Sequence, residues 1–243
     1  MKKKITALIF SALMIINFTG CKQQEKTAIK PATTNPETKM NYAAKYDDTL
    51  AKIYEFIKHM NDETEPVEGF GGIWEAALAL ESEAISQIEY ILKDINSDNI
   101  PELLIGVFAK EDYAYTNNEI YAIYALKNDA PVLILEGRSR SSYSLKDDGS
   151  LFYSGSNGAA HSIFGTYHIS KDNEVVCDDY YFTYPDDNDP SIIEIYHNNT
   201  GIYDRDDSEK LDITLDDFWK LEEEKAKGTA KPDATSFAEA DFS

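Results

Sequence analysis

Apolar residues recur at helical spacing near both ends of the folded part of the chain. This periodicity predicts an amphipathic helix over residues 46–60 and an alanine- and leucine-rich helix over 73–84, separated by an acidic, glycine-containing loop over 61–72. A third helix is predicted over 214–227, where Thr214 can accept a hydrogen bond as the N-cap residue. Helices therefore flank a long central region.

The central region alternates apolar and polar residues and is rich in valine, isoleucine, tyrosine and phenylalanine, which favours strands. The predicted strands are 87–92, 102–108, 119–126, 131–136, 141–145, 151–154, 163–169, 174–182 and 192–196. Turn-forming residues separate them, as in Asp147-Asp148-Gly149. The predicted fold class is α+β, a mostly antiparallel β-meander between N-terminal helices and a C-terminal helix. Residues 42–228 would form one domain, and the small, polar residues 229–243 would form a loose tail.

The N-terminus combines three consecutive lysines, an apolar run over 5–18 and the sequence Thr19-Gly20-Cys21. The run is short for a membrane span and matches the apolar region of a signal peptide. From the residues alone, the segment could also be an ordinary signal peptide or an uncleaved membrane anchor. The small residues before Cys21 resemble the lipobox of bacterial lipoproteins. That resemblance implies removal of residues 1–20, lipidation of Cys21, and attachment to the outer face of the cell membrane or to the outer membrane.

The composition of the chain changes after Cys21. Residues 21–41 are rich in lysine, threonine, glutamine and proline and have few large apolar side chains, which predicts a flexible tether. The formal charge of the chain is −21, and loss of residues 1–20 would take it to −24 because three lysines and no acid are removed. Such a surface argues against a nucleic-acid partner. With Cys21 lipidated, Cys177 would be the sole remaining thiol, so no intramolecular disulfide could form.

Oxygen-bearing side chains alternate in the segment from Asp94 to Glu102, which lies between two predicted strands. Asp94, Asn96, Asp98 and Glu102 occupy positions 1, 3, 5 and 9, and Ile100 could add its backbone carbonyl. Calcium prefers six to eight oxygen ligands, which such a turn can direct inward. The sequence therefore predicts a Ca²⁺ site here. A β-turn that binds no metal is the alternative, since these residue types are common in turns.

The same segment resembles two known kinds of calcium loop. An EF-hand loop has Gly at position 6 and Glu at position 12, where this chain has Asn99 and Ile105. The closer likeness is to the single loop of an FG-GAP repeat, which Pro101-Glu102 and the apolar run ending at Gly106 resemble. The propeller fold is not implied, because we find no second copy of the loop. The layout also resembles a group of uncharacterised bacterial exported proteins, and this likeness implies no activity.

Few residue patterns in this sequence match those of known catalytic sites. A Ser156–His161 hydrolytic pair could lie in the Gly/Ser-rich segment, but the spacing is not that of a nucleophile elbow. The four histidines do not occur at zinc-ligand spacing with each other or with Cys177. Seven tyrosines at strand spacing are expected to form core and cross-strand contacts rather than an exposed stacking surface. They are Tyr113, Tyr115, Tyr121, Tyr124, Tyr180, Tyr181 and Tyr184.

These observations favour a non-enzymatic, lipid-anchored extracytoplasmic domain with one structural calcium site, which binds an unidentified protein or glycan. Two other hypotheses stay open at this point. One is an envelope hydrolase that uses the Gly/Ser-rich segment near His161, and the other is a purely structural envelope protein without metal.

Overall fold

The first helix, α1 (Asp47–Lys58), follows a short 3₁₀ turn at Ala43–Lys45 and buries its apolar stripe of Leu50, Ile53 and Ile57. A computed structural model describes residues 41–61, 64–108, 118–230 and 232–240. The predicted signal peptide, lipidation at Cys21 and nearly all of the predicted tether lie outside these residues. The helix predicted over 46–60 is confirmed.

The second predicted helix is divided in the structure. Helix α2 (Gly71–Leu80) begins two residues earlier than predicted and ends at Glu81, whose φ of +50° takes the backbone out of the helical region. A 3₁₀ turn at Glu81–Glu83 and the short helix α3 (Ala84–Gln87) follow. The following strand therefore begins at Glu89 rather than at residue 87.

The described strands form one eleven-stranded antiparallel sheet, which confirms the predicted fold class. Their bounds are β1 Glu89–Lys93, β2 Glu102–Val107, β3 Glu119–Lys127, β4 Ala130–Glu136, β5 Ser141–Leu145, β6 Leu151–Ser156, β7 Ser162–Ile169, β8 Val175–Pro185, β9 Ile193–Asn198, β10 Glu209–Leu211 and β11 Thr235–Ser236. Ten strands follow the order β10-β9-β8-β7-β6-β5-β3-β2-β1-β11, and β4 pairs with β3. Sequence neighbours pair along most of this order, as expected of a meander.

Both faces of the central strands are covered. Leu103 and Ile105 on β2 pack with Ile53 of α1 and Ile73 of α2, whereas Leu104 between them packs in a second core on the opposite face. This division follows from the alternation of side chains along a strand. The second core joins side chains of β1–β4 with those of β5–β9, so the sheet folds over its own face.

The C-terminal helix α4 (Leu215–Ala226) has the predicted start. The Thr214 side chain accepts a hydrogen bond from the Asp217 amide, and Asp217 returns one in a capping box. Phe218 is fully buried against Phe152 and Phe164, so α4 covers the part of the sheet built from β6, β7 and β9.

The prediction of a loose tail after Gly228 is wrong for the described tail residues. Thr235 and Ser236 form β11, which pairs with Tyr90 and Glu89 of β1. Phe237 is fully buried in the core beneath α1 and α2. One compact unit therefore includes the tail and does not end at residue 228.

The predicted tyrosine contacts are partly confirmed. Tyr121, Tyr124 and Tyr180 are buried, and Tyr181 and Tyr184 are half-buried. Tyr113 and Tyr115 lie outside the described residues. Cys177 on β8 is a half-buried free thiol, and burial raises its pKa.

Candidate functional site

The β1–β2 hairpin holds both ends of the acidic loop. Lys93, the last residue of β1, pairs with Glu102, the first residue of β2, and Leu92 pairs with Leu103 in the same register. Residues 94–101 therefore form a connection whose ends are fixed by the strand ladder. The structure thus brings the five predicted ligand residues into one turn.

Alternate side chains of this loop turn inward and accept backbone hydrogen bonds. The two carboxylate oxygens of Asp94 accept from the amides of Asp98 at 3.2 Å and Asn99 at 3.0 Å. The side-chain oxygen of Asn96 also accepts from the Asp98 amide, at 3.0 Å, and Asp98 accepts from the Ile100 amide at 2.7 Å. The loop is thereby wound tightly around its own acidic side chains.

Two non-glycine residues of the loop adopt left-handed backbone conformations. Asn99 has a φ of +71°, and Ser97 has a φ of +61°. Asparagine tolerates this region better than most residues because its short side chain can hydrogen-bond locally. No pattern in the sequence predicts the left-handed conformation of Ser97.

Glu102 is the buried member of the acidic set, with 1 % of its surface exposed. One of its carboxylate oxygens accepts a hydrogen bond from the Ile95 amide at 2.9 Å. Burial raises the pKa of Glu102 to about 7, and the negative charges of Asp98 and Asp94 add to the rise. Among the described residues, none of these three carboxylates forms an ion pair with a basic side chain.

The loop is also tied to two distant parts of the fold. The Asn96 side-chain amide donates to the Ser170 carbonyl at 3.3 Å and to the Asn173 side chain at 2.9 Å, both in the β7–β8 turn. The hydroxyl of Tyr46, just before α1, donates to the Pro101 carbonyl at 2.8 Å. The hairpin turn therefore connects the N-terminal helix to the opposite half of the sheet.

The oxygen atoms of the loop are ligands that suit a hard cation such as Ca²⁺. Each carboxylate has about four lone-pair directions and uses only some of them for the backbone hydrogen bonds. Within the described ranges, however, no group of three or more His, Cys, Asp or Glu side chains is arranged to hold a metal ion. A calcium site here would need the amide oxygen of Asn96 and the Ile100 carbonyl in addition to the acids.

The Ser156–His161 pair is not brought together. The Ser156 hydroxyl donates to the Gly158 carbonyl at 3.2 Å, within the turn between β6 and β7. The His161 ring instead pairs with the Tyr203 hydroxyl at 2.6 Å and packs edge-on against Tyr184. The described contacts give Ser156 no adjacent base.

A polar groove, which the sequence did not predict, lies beside that turn. It consists of two adjoining cavities of about 500 and 390 Å³ that share Ser139, Arg140 and Ser156 as a common wall. The segment Gly137-Arg138-Ser139-Arg140-Ser141-Ser142 supplies one side. This segment holds two of the three arginines of the chain, which was the one signal in the sequence that could have indicated it.

No protein-family model, no curated protein and no solved structure matches this chain. Within the described residues, α1 to α4 are all too short or too polar to cross a membrane.

Proposed function

We propose that this chain is a membrane-tethered, extracytoplasmic lipoprotein whose folded domain binds one calcium ion and acts by binding rather than by catalysis. The tether and the lipid at Cys21 are supported by the order of lysines, apolar run, small residues and cysteine at the N-terminus. Two acyl chains would give a stable anchor where one would be reversible.

The observation that carries the calcium proposal is a set of three carboxylates around one turn that form no ion pairs with the described residues. Asp94, Asp98 and Glu102 lie close enough that the charges of the first two raise the pKa of the third. A divalent cation among them would replace this repulsion with attraction. Outside the cytoplasm, calcium reaches the range in which single extracellular modules bind it, with Kd on the order of 10⁻⁴ to 10⁻³ M.

Bound calcium would act mainly as a structural clip. The loop already connects β1 and β2 to Tyr46 and to the β7–β8 turn through Asn96. A cation at Asp94, Asn96, Asp98, Glu102 and the Ile100 carbonyl would hold this junction in one arrangement. The stabilisation should therefore appear in the unfolding of the whole domain and not only in the loop.

Calcium at about 5 mM is expected to stabilise the full chain by about 1–2 kcal/mol, from the mass-action relation and the Kd range of extracellular modules. For a domain of this size that corresponds to a rise in Tm of roughly 2–8 °C. Asp94→Ala should abolish the rise, because Asp94 is the first acid of the loop. Thermal unfolding followed by circular dichroism, with and without Ca²⁺, measures both effects.

Asp207→Ala is the matched control, since Asp207 is an exposed aspartate far along the sequence from this loop. It should keep the full calcium-dependent rise. A melting curve of the unsubstituted chain that Ca²⁺ does not move would refute the metal site and favour a purely structural turn at Asp94. An equal rise in both variants would show that calcium acts through general screening of the negative surface and not at this loop.

A further inference from the structure

The polar groove beside the β6–β7 turn has the chemistry of a ligand site, and we call it the serine–arginine groove. Its walls come from the segment before β5, from β5 to β7 and from α4. The second cavity is lined by Arg140, Ser142, Ser154, Ser156, Trp219 and Glu222. Each cavity lies in the size range of small-molecule sites.

Strand register concentrates hydroxyl groups in this groove. Ser142 pairs with Ser154 across β5 and β6, and Ser156 pairs with Ser162 across β6 and β7. Paired residues in neighbouring strands point to the same face of a sheet, so these serines lie in rows. Serine hydroxyls can donate or accept hydrogen bonds, which suits a ligand that carries many hydroxyl groups.

Gly155 lies between Ser154 and Ser156 on β6, and a side chain there would point to the opposite face of the strand, which carries Tyr153. A Cβ atom at this position would lie 2.7 Å from the Tyr153 hydroxyl oxygen and 3.1 Å from the Arg140 carbonyl oxygen. The Tyr153 hydroxyl is in turn hydrogen-bonded to the Ser141 hydroxyl at 2.8 Å. Glycine at this position therefore avoids a clash with Tyr153 and Arg140, which both line the first cavity.

The charges in the groove are balanced rather than of one sign. Arg138 is neutralised by Glu136 at 3.0 Å and by Glu75 at 3.5 Å. Arg140 is exposed and has no ion pair among the described residues, and Glu119 and Glu222 line the same cavity as Arg140. An anionic ligand would meet these carboxylates in a chain of formal charge −21. A ligand that both donates to carboxylates and accepts from a guanidinium suits the groove better.

An aromatic side chain completes the wall of the second cavity. Trp219 is 42 % exposed, whereas its neighbour Phe218 is fully buried and anchors α4 to the sheet. Trp219 packs edge-on against Phe218 with ring centroids 5.0 Å apart. A large aromatic ring with one polar edge beside rows of hydroxyls offers a flat apolar surface for the C–H face of a sugar ring.

We propose that the serine–arginine groove binds an uncharged oligosaccharide, with Trp219 stacking on one sugar ring while Arg140, the serines and the carboxylates hydrogen-bond to its hydroxyls. This inference rests on the proposed function as a binding domain and adds the site and the ligand class. Sugars are the ligand class that satisfies donors, acceptors and an exposed aromatic ring together without adding charge to an acidic surface.

The test is titration calorimetry on the detergent-solubilised full chain with maltohexaose, cellohexaose, xylohexaose and chitohexaose as uncharged probes, and hexagalacturonate as the acidic comparison. At least one uncharged probe is expected to bind with Kd between about 10 μM and 1 mM, which corresponds to roughly 4–7 kcal/mol. Trp219→Ala and Arg140→Ala should each weaken that binding about tenfold or more, equivalent to about 1.4 kcal/mol.

Arg205→Ala provides the matched control for the arginine substitution. Arg205 lies over the ring of Tyr184 and pairs with Asp187 at 2.9 Å, and it does not line the groove. It should leave sugar binding unchanged. Circular dichroism of each variant confirms that the fold is retained. The same titration is carried out on Ser142→Ala, a substitution that removes a single hydroxyl from the groove.

Three results would overturn the proposal: no binding of any uncharged probe at about 5 mM, binding that Trp219→Ala and Arg140→Ala both leave intact, or binding of hexagalacturonate alone. The last would indicate an anion site centred on Arg140. None of these results bears on calcium-dependent melting or on membrane attachment, so failure of the groove is distinguishable from failure of the proposed function.

Discussion

Phe237→Ala is expected to lower the free energy of unfolding of the chain by about 3–5 kcal/mol, the range typical of removing a fully buried aromatic side chain. Phe237 has no exposed surface, and its ring centroid lies 5.4 Å from that of Tyr90 on β1. It fills a core that also contains Ile53 and Ile73 from α1 and α2. Its loss would leave a cavity between the N-terminal helices and the edge of the sheet.

The loss should also affect the tail itself. The hydroxyl of Ser236 is within hydrogen-bonding distance of the carbonyls of Ile85 and Ser86, and the Phe237 amide donates to the Ile88 carbonyl at 3.3 Å. These bonds fasten the tail to α3 and to the residue before β1, and β11 itself pairs with Glu89 and Tyr90 at the edge of β1. Without the aromatic anchor, β11 should detach, so the edge of β1 would be open to solvent.

Glu239→Ala tests the same tail segment without touching its anchor, because Glu239 is exposed. Surface substitutions of this kind usually change stability by no more than about 0.5 kcal/mol. Urea unfolding of both variants, followed by circular dichroism, compares them directly. If Phe237→Ala unfolds at the same urea concentration as Glu239→Ala, the tail is not docked in solution.

Cys21→Ser is expected to release the protein from the membrane fraction into the soluble fraction, or to leave it as a mislocalised precursor. Serine lacks the thiol that the lipobox resemblance assigns to acylation, and the region after it is too polar to hold the chain at a bilayer by itself. The change in partition should be nearly complete, since the anchor is proposed to be the main attachment. Fractionation with a carbonate wash, followed by immunoblotting, measures it.

The matched control replaces the other cysteine. Cys177 lies on β8 as a half-buried thiol in the second core, and Cys177→Ser should leave the chain in the membrane fraction. Membrane retention of a Cys21→Ser chain that has lost residues 1–20 would refute lipid anchoring at this residue. Release of both variants would instead indicate that unfolding, and not loss of the lipid, removes the chain from the membrane.

The sheet could be predicted from the sequence because its determinants are local. The hairpin of β5 and β6 has turn residues at 147–149 between alternating segments, and the helix over 215–226 has its capping residue Thr214. The division of α2 from α3 at Glu81 was missed, since a single left-handed residue leaves no pattern in the composition. The docking of Phe237 was missed because one aromatic in a small, polar segment gives no periodicity.

The two candidate sites also differ in how far they could be predicted from the sequence. The acidic loop could be found in the sequence because its oxygen-bearing side chains alternate within nine residues, and their inward orientation follows from the turn. The serine–arginine groove assembles Glu75, Arg140, Ser156 and Trp219 from distant parts of the chain. Their proximity depends on the folding of the sheet and on α4, so no local pattern could reveal it.

Mass spectrometry of the chain extracted from membranes tests the central claim most directly. The account predicts a mature N-terminus at Cys21, no peptide from residues 1–20, and a mass increase on Cys21 that corresponds to a diacylglyceryl group. A mature chain that retains residues 1–20, or one that begins elsewhere with Cys21 as a free thiol, would contradict it.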